Sequence, residues 1–411
     1  MLNAKVVLSM SSESLSGTVA QLEASSKTLE WASPDLLTIK IEHDLEVIIS
    51  EVLHFFGEDQ TMAIALAGGL GRGEPTRLRR GEQGNERYML LSDYDILVAV
   101  RNPILDGRSI LLRRSLSEKL GIETEIGANT PAALTRLPRT VATYELAHYR
   151  CLWGSDELLK SYVPKVNPAF LPSSEGSRLF FNRGAGLIRA LRCYQEDLQP
   201  LGISEDAFLV SQCIKAILAA GDAFLLLEHS YHFSYGEKKE RLLRAYVPDD
   251  LKYWYEWATK FKTEPQPPLF EGQDLLGWYN EIVRLFESWH RQFEERRSQK
   301  AWTSWQSFAR RQLYLTLHRP QTYWKTLQLN VRTFGVPKRA APLLLWTYCL
   351  PIETRLRAAM PLILYSSISP SEIYRDLLSI LFNTTTVEIT DGRFLASVAK
   401  RFVELWLLYL G

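Results

Sequence analysis

The chain has 411 residues, 46% hydrophobic and 23% charged, with 11 Trp, 18 Tyr and 17 Phe. That much apolar and aromatic material can bury a sizeable core and excludes disorder along most of the length. A formal charge of +1 excludes a chain that gathers polyanions by net charge alone. No uninterrupted apolar run reaches the roughly 18–20 residues that span a bilayer. The two longest, Ala340–Pro351 and Ala358–Tyr365, are short and carry proline, so no membrane partner is expected. The Ser-rich N-terminus lacks a basic stretch followed by an apolar one, which argues against export. Cys151, Cys193, Cys213 and Cys349 show no CxxC spacing. They argue against a zinc ribbon or a disulfide scaffold and fit a reducing, cytoplasmic setting.

In chain order, residues 1–35 read as loosely ordered. From Leu36 to Phe56 the apolar residues Leu45, Ile48, Ile49, Val52, Leu53 and Phe56 recur at helical spacing, and Gly57 reads as the stop. Thr61–Leu66 reads as a strand that breaks into the glycine-rich Ala67–Glu74, and the polar stretch with Gly81 and Gly84 as a loop. Tyr88–Val100 reads as a strand, Asp106–Leu120 as a helix and Gly121–Gly127 as another strand. Beyond Gly127 the strand signal nearly vanishes. Asn167–Ser177 is the best linker. Helical patterns follow at Arg178–Leu198, Ser204–Glu228, Glu237–Tyr246, Leu251–Lys262, Gly272–Arg297, Trp302–His318, Gln321–Val331, Ala340–Tyr348, Ser371–Phe382 and Phe394–Leu410. The expected fold is α+β: a small mixed-sheet α/β core over 36–165, then a large all-helical region divided into 178–300 and 301–411.

Three features of the first unit belong together. Gly68-Gly69-Leu70-Gly71-Arg72-Gly73-Glu74 follows a strand. Glycines there permit a sharp turn and bring backbone N–H groups close to a phosphate. Arg72 could fork onto phosphate oxygens. Ser92-Asp93-Tyr94-Asp95 puts two carboxylates two residues apart, on one face of a strand. Glu123 and Glu125 share a face of the next strand, and one of them could complete a carboxylate triad. Three converging hard oxygen ligands suit Mg²⁺, and two such ions can clamp a phosphoryl group between nucleophile and leaving group.

Taken separately, a GG pair is usually a turn, a DxD a solvated face and the two glutamates ordinary outward residues. Their joint order is more specific. Gly68–Glu74 followed by Ser92–Val98 resembles the hallmark of the nucleotidyltransferase superfamily related to DNA polymerase β, GS-x-x-R-G-E and then S-D-h-D-h-h-h. The resemblance covers about residues 40–160. It implies a mixed-sheet core and Mg²⁺-dependent (or Mn²⁺-dependent) transfer of a nucleoside monophosphate from an NTP. Asp93 and Asp95 would be the first two acids. Glu125, nearer the strand end at Gly127, is preferred to Glu123 as the third. Gly68, Gly69 and Arg72 would hold the phosphates. Cys151-Leu152-Trp153-Gly154 resembles the turn that precedes the family's helical domain. Gly69 departs from the pattern by lacking the usual serine hydroxyl. The stretch from Gly69 to Asp93 is longer than usual and carries Arg77, Arg79, Arg80 and Arg87 against Glu82 and Glu86. It reads as a solvated hairpin loop or as a basic flap.

In the resembling enzymes a helical domain closes the cleft. Ser211–Phe233 looks like such a helix. Lys215 would either pair with Asp222, seven residues on, or reach a nucleotide phosphate. Lys238 and Lys239 read as solvated. His229 and His232 lack a third ligand, and the Arg284/His290 spacing of a helical RNase motif reads as coincidence. Over 284–339, twelve Lys or Arg face three acids among interleaved aromatics. That pattern suits either an amphipathic bundle or RNA. The leading expectation is transfer from NTP to a hydroxyl or phosphate acceptor, an unidentified small molecule. Transfer to RNA (tRNA) or protein is the first alternative. A nucleotide-binding interaction protein of toxin–antitoxin type is the second.

Overall fold

A computed structural model describes residues 32–80, 86–103, 108–196, 200, 202–264, 274–317, 326–328, 331, 350–365 and 393–409. The chain is α+β, with a small mixed sheet in its N-terminal part and a large helical region after it. Helix α1 (Pro34–Phe56) starts where Ser33 accepts a hydrogen bond from the Leu36 N–H and Pro34 supplies the fixed φ of a first turn. It stops at Gly57, φ +87°. Its buried stripe, Leu37, Ile41, Leu45, Ile48 and Val52, keeps the period of one helix face.

The strands follow in order: β1 (Thr61–Leu66), β2 (Arg77–Arg80), β3 (Arg87–Leu90), β4 (Tyr94–Val100), β5 (Thr124–Asn129) and β6 (Arg150–Gly154). The sheet runs β5-β4-β1-β6. β1 is antiparallel to both β4 and β6, and β4 is parallel to β5. A parallel pair needs a crossover, supplied by α3 (Arg108–Leu120); α2 is the single turn Gly68–Gly71. The two-residue period divides the sheet. Ile64, Leu66, Ile96 and Val98 pack under α1 and α3. Ala63, Ala65, Leu97 and Ala99 face α4 (Pro131–Leu134) and α6 (Asp156–Tyr162). By the same alternation Asp95 sits on the Leu97 face, at the end where β4 begins.

Several expectations shift here. Tyr88–Val100 is two strands, because Leu91–Asp93 leaves the hairpin to enter the sheet. The expected loop around Gly81 and Gly84 lies outside the described residues, while β2 and β3 on either side of it pair antiparallel. Arg79 pairs with Glu86 at 2.8 Å, while Leu78, Met89 and Leu91 pack into the helical core. Hence the long insert is neither a free loop nor an open flap over its described length. β5 starts at Thr124, so Glu123 precedes the strand rather than sharing its ladder. β6 was not expected, since Arg150–Gly154 shows no clean alternation. The expected loose order of 1–35 falls mostly on residues outside the described set.

The helical region begins at η (Pro168–Phe170) and α7 (Ser174–Glu196), which takes in the end of the expected linker. Then come α8 (Glu205–Leu227), α9 (Tyr235–Arg244), α10 (Asp249–Thr263), α11 (Leu275–Ser298), α12 (Trp305–Leu317), α13 (Ile352–Leu364) and α14 (Arg393–Tyr409), with α5 (Val141–Leu146) back in the N-terminal part. Helix α13 was missed because Pro361 lies inside it. The patterns at 340–348 and 371–382, and 321–331 apart from 326–328 and 331, lie outside the described residues.

Helix α8 is the axis of this region, packed against α7, α9, α10 and α11. Every residue from Ala207 to Leu226 is buried except Lys215. Among the described residues α8 alone is long and apolar enough to cross a membrane, and 89% of its apolar window is buried inside the protein. It is a core helix in this fold, and no run flagged it because Ser211, Gln212 and Lys215 interrupt the apolar residues. The α/β part and the helices share one core, since Val141 and Tyr144 of α5 pack with the helical cluster. Cys151, Cys193 and Cys213 are free thiols.

Candidate functional site

The end of β1 and the start of β4 lie side by side, which brings the glycine segment onto the SDYD segment. The Ala67 N–H donates to the Asp95 carbonyl at 2.7 Å. Gly68 has φ +62°, and a Cβ there would lie 1.9 Å from Asp95 Oδ2. Glycine is thus required twice at this position: by the left-handed backbone and by the carboxylate pressed against it. The loop is closed by the Glu74 N–H donating to the Gly69 carbonyl at 2.8 Å, and Ser92 Oγ accepts from the Thr76 N–H at 2.8 Å. Ser92 therefore staples the two motif segments together. Beside Gly69, where the resembling family has serine, stands Lys262 of α10. Its Nζ would be 3.4 Å from a Cβ on Gly69, and it donates to Thr76 Oγ1 at 3.0 Å.

The Asp93 side chain is 40% exposed and faces Lys215, with Nζ 3.8 Å from Oδ1. Lys215 holds the Asp93 carboxyl below the usual range, with Arg183 of α7 and Lys262 adding to it. Asp95 goes the other way. Burial, and then the charges of Asp93 and Glu125, push its pKa up to about 7. Glu125 pairs in register with Asp95 across the parallel β4–β5 ladder, so the two side chains share a face. Burial raises the Glu125 pKa, and the side chain is ion-paired with Arg113 of α3. Glu123 instead lies 3.9 Å from Arg189, while its carbonyl accepts from the Tyr94 N–H at 2.9 Å. Register thus puts Glu125 beside Asp95, while Glu123 borders a cavity with Asp93.

The cations come from the helical region. The expected Lys215–Asp222 pair does not form, since Lys215 turns toward Asp93 and Asp222 is taken by two other groups. Lys238 is fully buried, not solvated. Its ammonium lies 2.8 Å from Asp222 Oδ2, 3.2 Å from Glu145 Oε1 and 2.9 Å from the Tyr231 hydroxyl. Tyr255 donates to Asp222 at 2.8 Å, and Tyr231 to Glu145 at 2.6 Å. Arg72 also ends in this network, donating to Glu145 Oε2 at 3.2 Å with its side chain only 4% exposed. Burial alone would raise the Glu145 pKa; Lys238 and then Arg72 hold it down to about 2. Glu74 accepts from Ser234 Oγ and from the Tyr235 N–H, at 2.9 and 3.1 Å. The Arg72 guanidinium bridges the loop to Glu145 while also lining the groove beside the aspartates. Burial, then the neighbouring Lys215, lowers the Lys262 pKa to about 8.

A groove of about 490 Å³ opens beside the aspartates, lined among others by Gly68, Arg72, Asp95, Glu125, Asn129 and Glu145. Asp93 and Asp95 supply hard oxygens suited to Mg²⁺ or Mn²⁺. Glu125 would have to leave Arg113 to join them. Among the described residues no group of three or more His, Cys, Asp or Glu side chains is placed to hold a metal ion. Elsewhere, His290 is buried, stacked on Phe180 at 4.6 Å and 3.1 Å from the Tyr365 hydroxyl, and burial pushes its pKa down to about 3. Arg284 is exposed, whereas His290 is buried. Nδ1 of His229 lies 3.1 Å from the Ala169 carbonyl oxygen, and His232 Nδ1 accepts from the Ser234 N–H at 3.2 Å. Within 284–317, Trp289, Trp305 and Phe308 are buried, and Arg291 and Arg297 pair with Glu287 and Glu294. Over 284–317 the stretch thus packs aromatics inward, as an amphipathic bundle does. No protein-family model matches the chain, and no curated protein matches it.

Sequence reasoning missed Lys262, Arg183 and Glu145. Lys262 lies four residues from buried Ala258 and seven from buried Tyr255. A lysine on the apolar stripe of its own helix was the available signal. Arg183 and Glu145 gave none, because their significance depends on which elements pack together.

Proposed function

We propose that the protein is a nucleotidyltransferase of the kind related to DNA polymerase β, moving a nucleoside monophosphate from an NTP to a hydroxyl or phosphate acceptor, most simply a small molecule. One observation carries the reading. The glycine segment lies directly against Asp95, while Lys215 and Lys262 of the helical region converge on Asp93. Two carboxylates, a tight glycine turn and two lysines meet at the end of three strands.

In this reading Lys215, Lys262 and Arg183 attract and orient the triphosphate, as partly desolvated cations do with more effect than in water. The backbone N–H groups of Gly68 and Gly69 suit phosphate oxygens better than a side chain would at so tight a turn. Mg²⁺ or Mn²⁺ held by Asp93 and Asp95 would neutralise phosphate charge and lower the pKa of an acceptor hydroxyl. Asp95, with its pKa near neutrality from like charge and burial, is the carboxylate that gains most from a cation. Glu125 is placed to take up the acceptor proton once released from Arg113. Arg72 positions the loop through Glu145.

The test is incubation of the protein with each labelled NTP and Mg²⁺, followed by small-molecule, RNA and protein pools, with pyrophosphate measured alongside. Pyrophosphate release coupled to label on an acceptor supports transfer. The Glu125–Arg113 pair favours one second reading, a protein that binds nucleotide without transferring it. Stoichiometric NTP binding with no pyrophosphate from any pool would select it.

A further inference from the structure

Next to Asp93 is a second cavity of about 50 Å³, bordered by Glu123, Arg189, Phe208, Gln212 and Lys215. Gln212 is only 9% exposed, and its amide forms no hydrogen bond with a described residue. Its polar atoms remain open to the cavity, where a ligand or water can pair with them. The other polar groups here are occupied. Ser211 Oγ donates to the Phe208 carbonyl at 2.9 Å. Arg189 lies 5.0 Å above the Phe208 ring and 3.9 Å from Glu123. The fold also makes room for the amide, since a Cβ on Gly186 would fall 2.4 Å from Gln212 Oε1.

We propose that this cavity reads the edge of the nucleobase of the donor nucleotide, with Gln212 as the discriminating group. This inference rests on the nucleotidyltransferase reading above. Gln212 and Lys215 lie three residues apart on α8, about 4.5 Å along the axis. A nucleotide whose phosphates meet Lys215 thus carries its base toward Gln212. The volume admits a ring edge or a few waters, not a whole nucleotide. Glu123 and Asp93 border the cavity and disfavour a second anion. A primary amide offers one donor side and one acceptor, which is the complement of a nucleobase edge with a donor beside an acceptor.

The experiment is calorimetric titration of the full chain with ATP, GTP, CTP, UTP and inorganic triphosphate in Mg²⁺. The wild type should bind one NTP roughly 5- to 100-fold more tightly than the poorest NTP and than triphosphate, the range for a two-pronged base contact. Gln212→Leu should bring that NTP to within about threefold of the others while triphosphate affinity stays unchanged. Gly186→Ala, which displaces the amide without removing it, should give an intermediate loss, and it decides the matter if Gln212→Leu does not fold. Two results would overturn the proposal and return Gln212 to the lining of a hydrated cavity. One is base preference retained in both variants. The other is wild-type NTPs binding alike and no tighter than triphosphate. If neither triphosphate nor any NTP binds the wild type, the nucleotidyltransferase reading fails first, and this inference with it.

Discussion

Lys238→Met removes a buried ammonium and keeps most of its volume. In the wild type the ammonium is shared by Asp222, which is buried, and Glu145, whose side chain is 24% exposed at the groove. Displacement of the Glu145 titration from 4.5 to about 2 corresponds to roughly 3 kcal/mol at about 1.36 kcal/mol per pH unit. Lys238 is the largest attractive contribution to that displacement, with Arg72 next. Breaking a buried pair by deleting one partner typically costs about 3–5 kcal/mol. The two routes agree on a loss of about 3 kcal/mol. For a chain of 411 residues, at about 2.1 cal/mol/K of unfolding entropy per residue, that is a fall in Tm of roughly 3–4 °C, read by calorimetry at pH 7.5. The sign with pH follows from Glu145. A carboxylate with a depressed folded pKa stabilises above its unfolded value, and the contribution is lost as pH falls from 4.5 toward 2. The deficit of Lys238→Met should therefore be full at pH 7 and shrink below about pH 4.5. A Tm within 1 °C of wild type at pH 7.5 would refute the argument that this network ties the glycine loop to the helices.

Four further outcomes are expected. Asp95→Asn should abolish transfer yet raise Tm at pH 8 and not at pH 3.5, because a carboxyl with its folded pKa raised from 3.8 to about 7 opposes folding as pH climbs through that window; equal melting curves at pH 8 would contradict the site's electrostatics. Lys262→Met should weaken triphosphate binding at least tenfold, and wild-type affinity should drop as pH rises through about 8, where Lys262 loses its proton; a flat pH profile would remove Lys262 from the site. Gly73→Ala, at φ +77° with open space, should cost about 1 kcal/mol from backbone strain alone, and Gly68→Ala distinctly more because its Cβ meets Asp95; equal chemical-denaturation midpoints would dispose of that contact. Glu125→Gln should lower kcat by orders of magnitude at similar KM for NTP while Glu123→Gln changes little, and the opposite pattern would move the third acid two residues upstream.

What the sequence made legible was whatever depends on near neighbours. Two-residue alternation in YDILVAV puts Asp95 on one face, and the glycine turn follows from a strand that ends at Leu66. Both follow from steric rules that act over a few residues. The choice of Glu125 over Glu123 stood on a guess about the strand end; the register that pairs Asp95 with Glu125 supplies a different reason. Long-range pairing carried no such signature. Lys215 could be seen as a charge on an apolar helix, but Asp222 was the only acid on its own helix within reach, so a local rule chose a partner that the fold assigns to Lys238. Lys238 in turn looked solvated because its neighbours in sequence, Glu237, Lys239 and Glu240, are charged, whereas its helix face is shared with buried Leu242. The same reasoning explains why Arg72 was read as a ligand-facing group. A cation beside a glycine turn has two uses, holding a phosphate or holding the turn, and the contact with Glu145, 73 residues further along, has no signature in the local sequence. The site is thus built in two layers. Its acids and turn come from short-range spacing, and its cations come from helices that reach it only through packing. That is why Lys215 is the single unburied residue between Ala207 and Leu226: a core helix opens at one point, and that point faces Asp93.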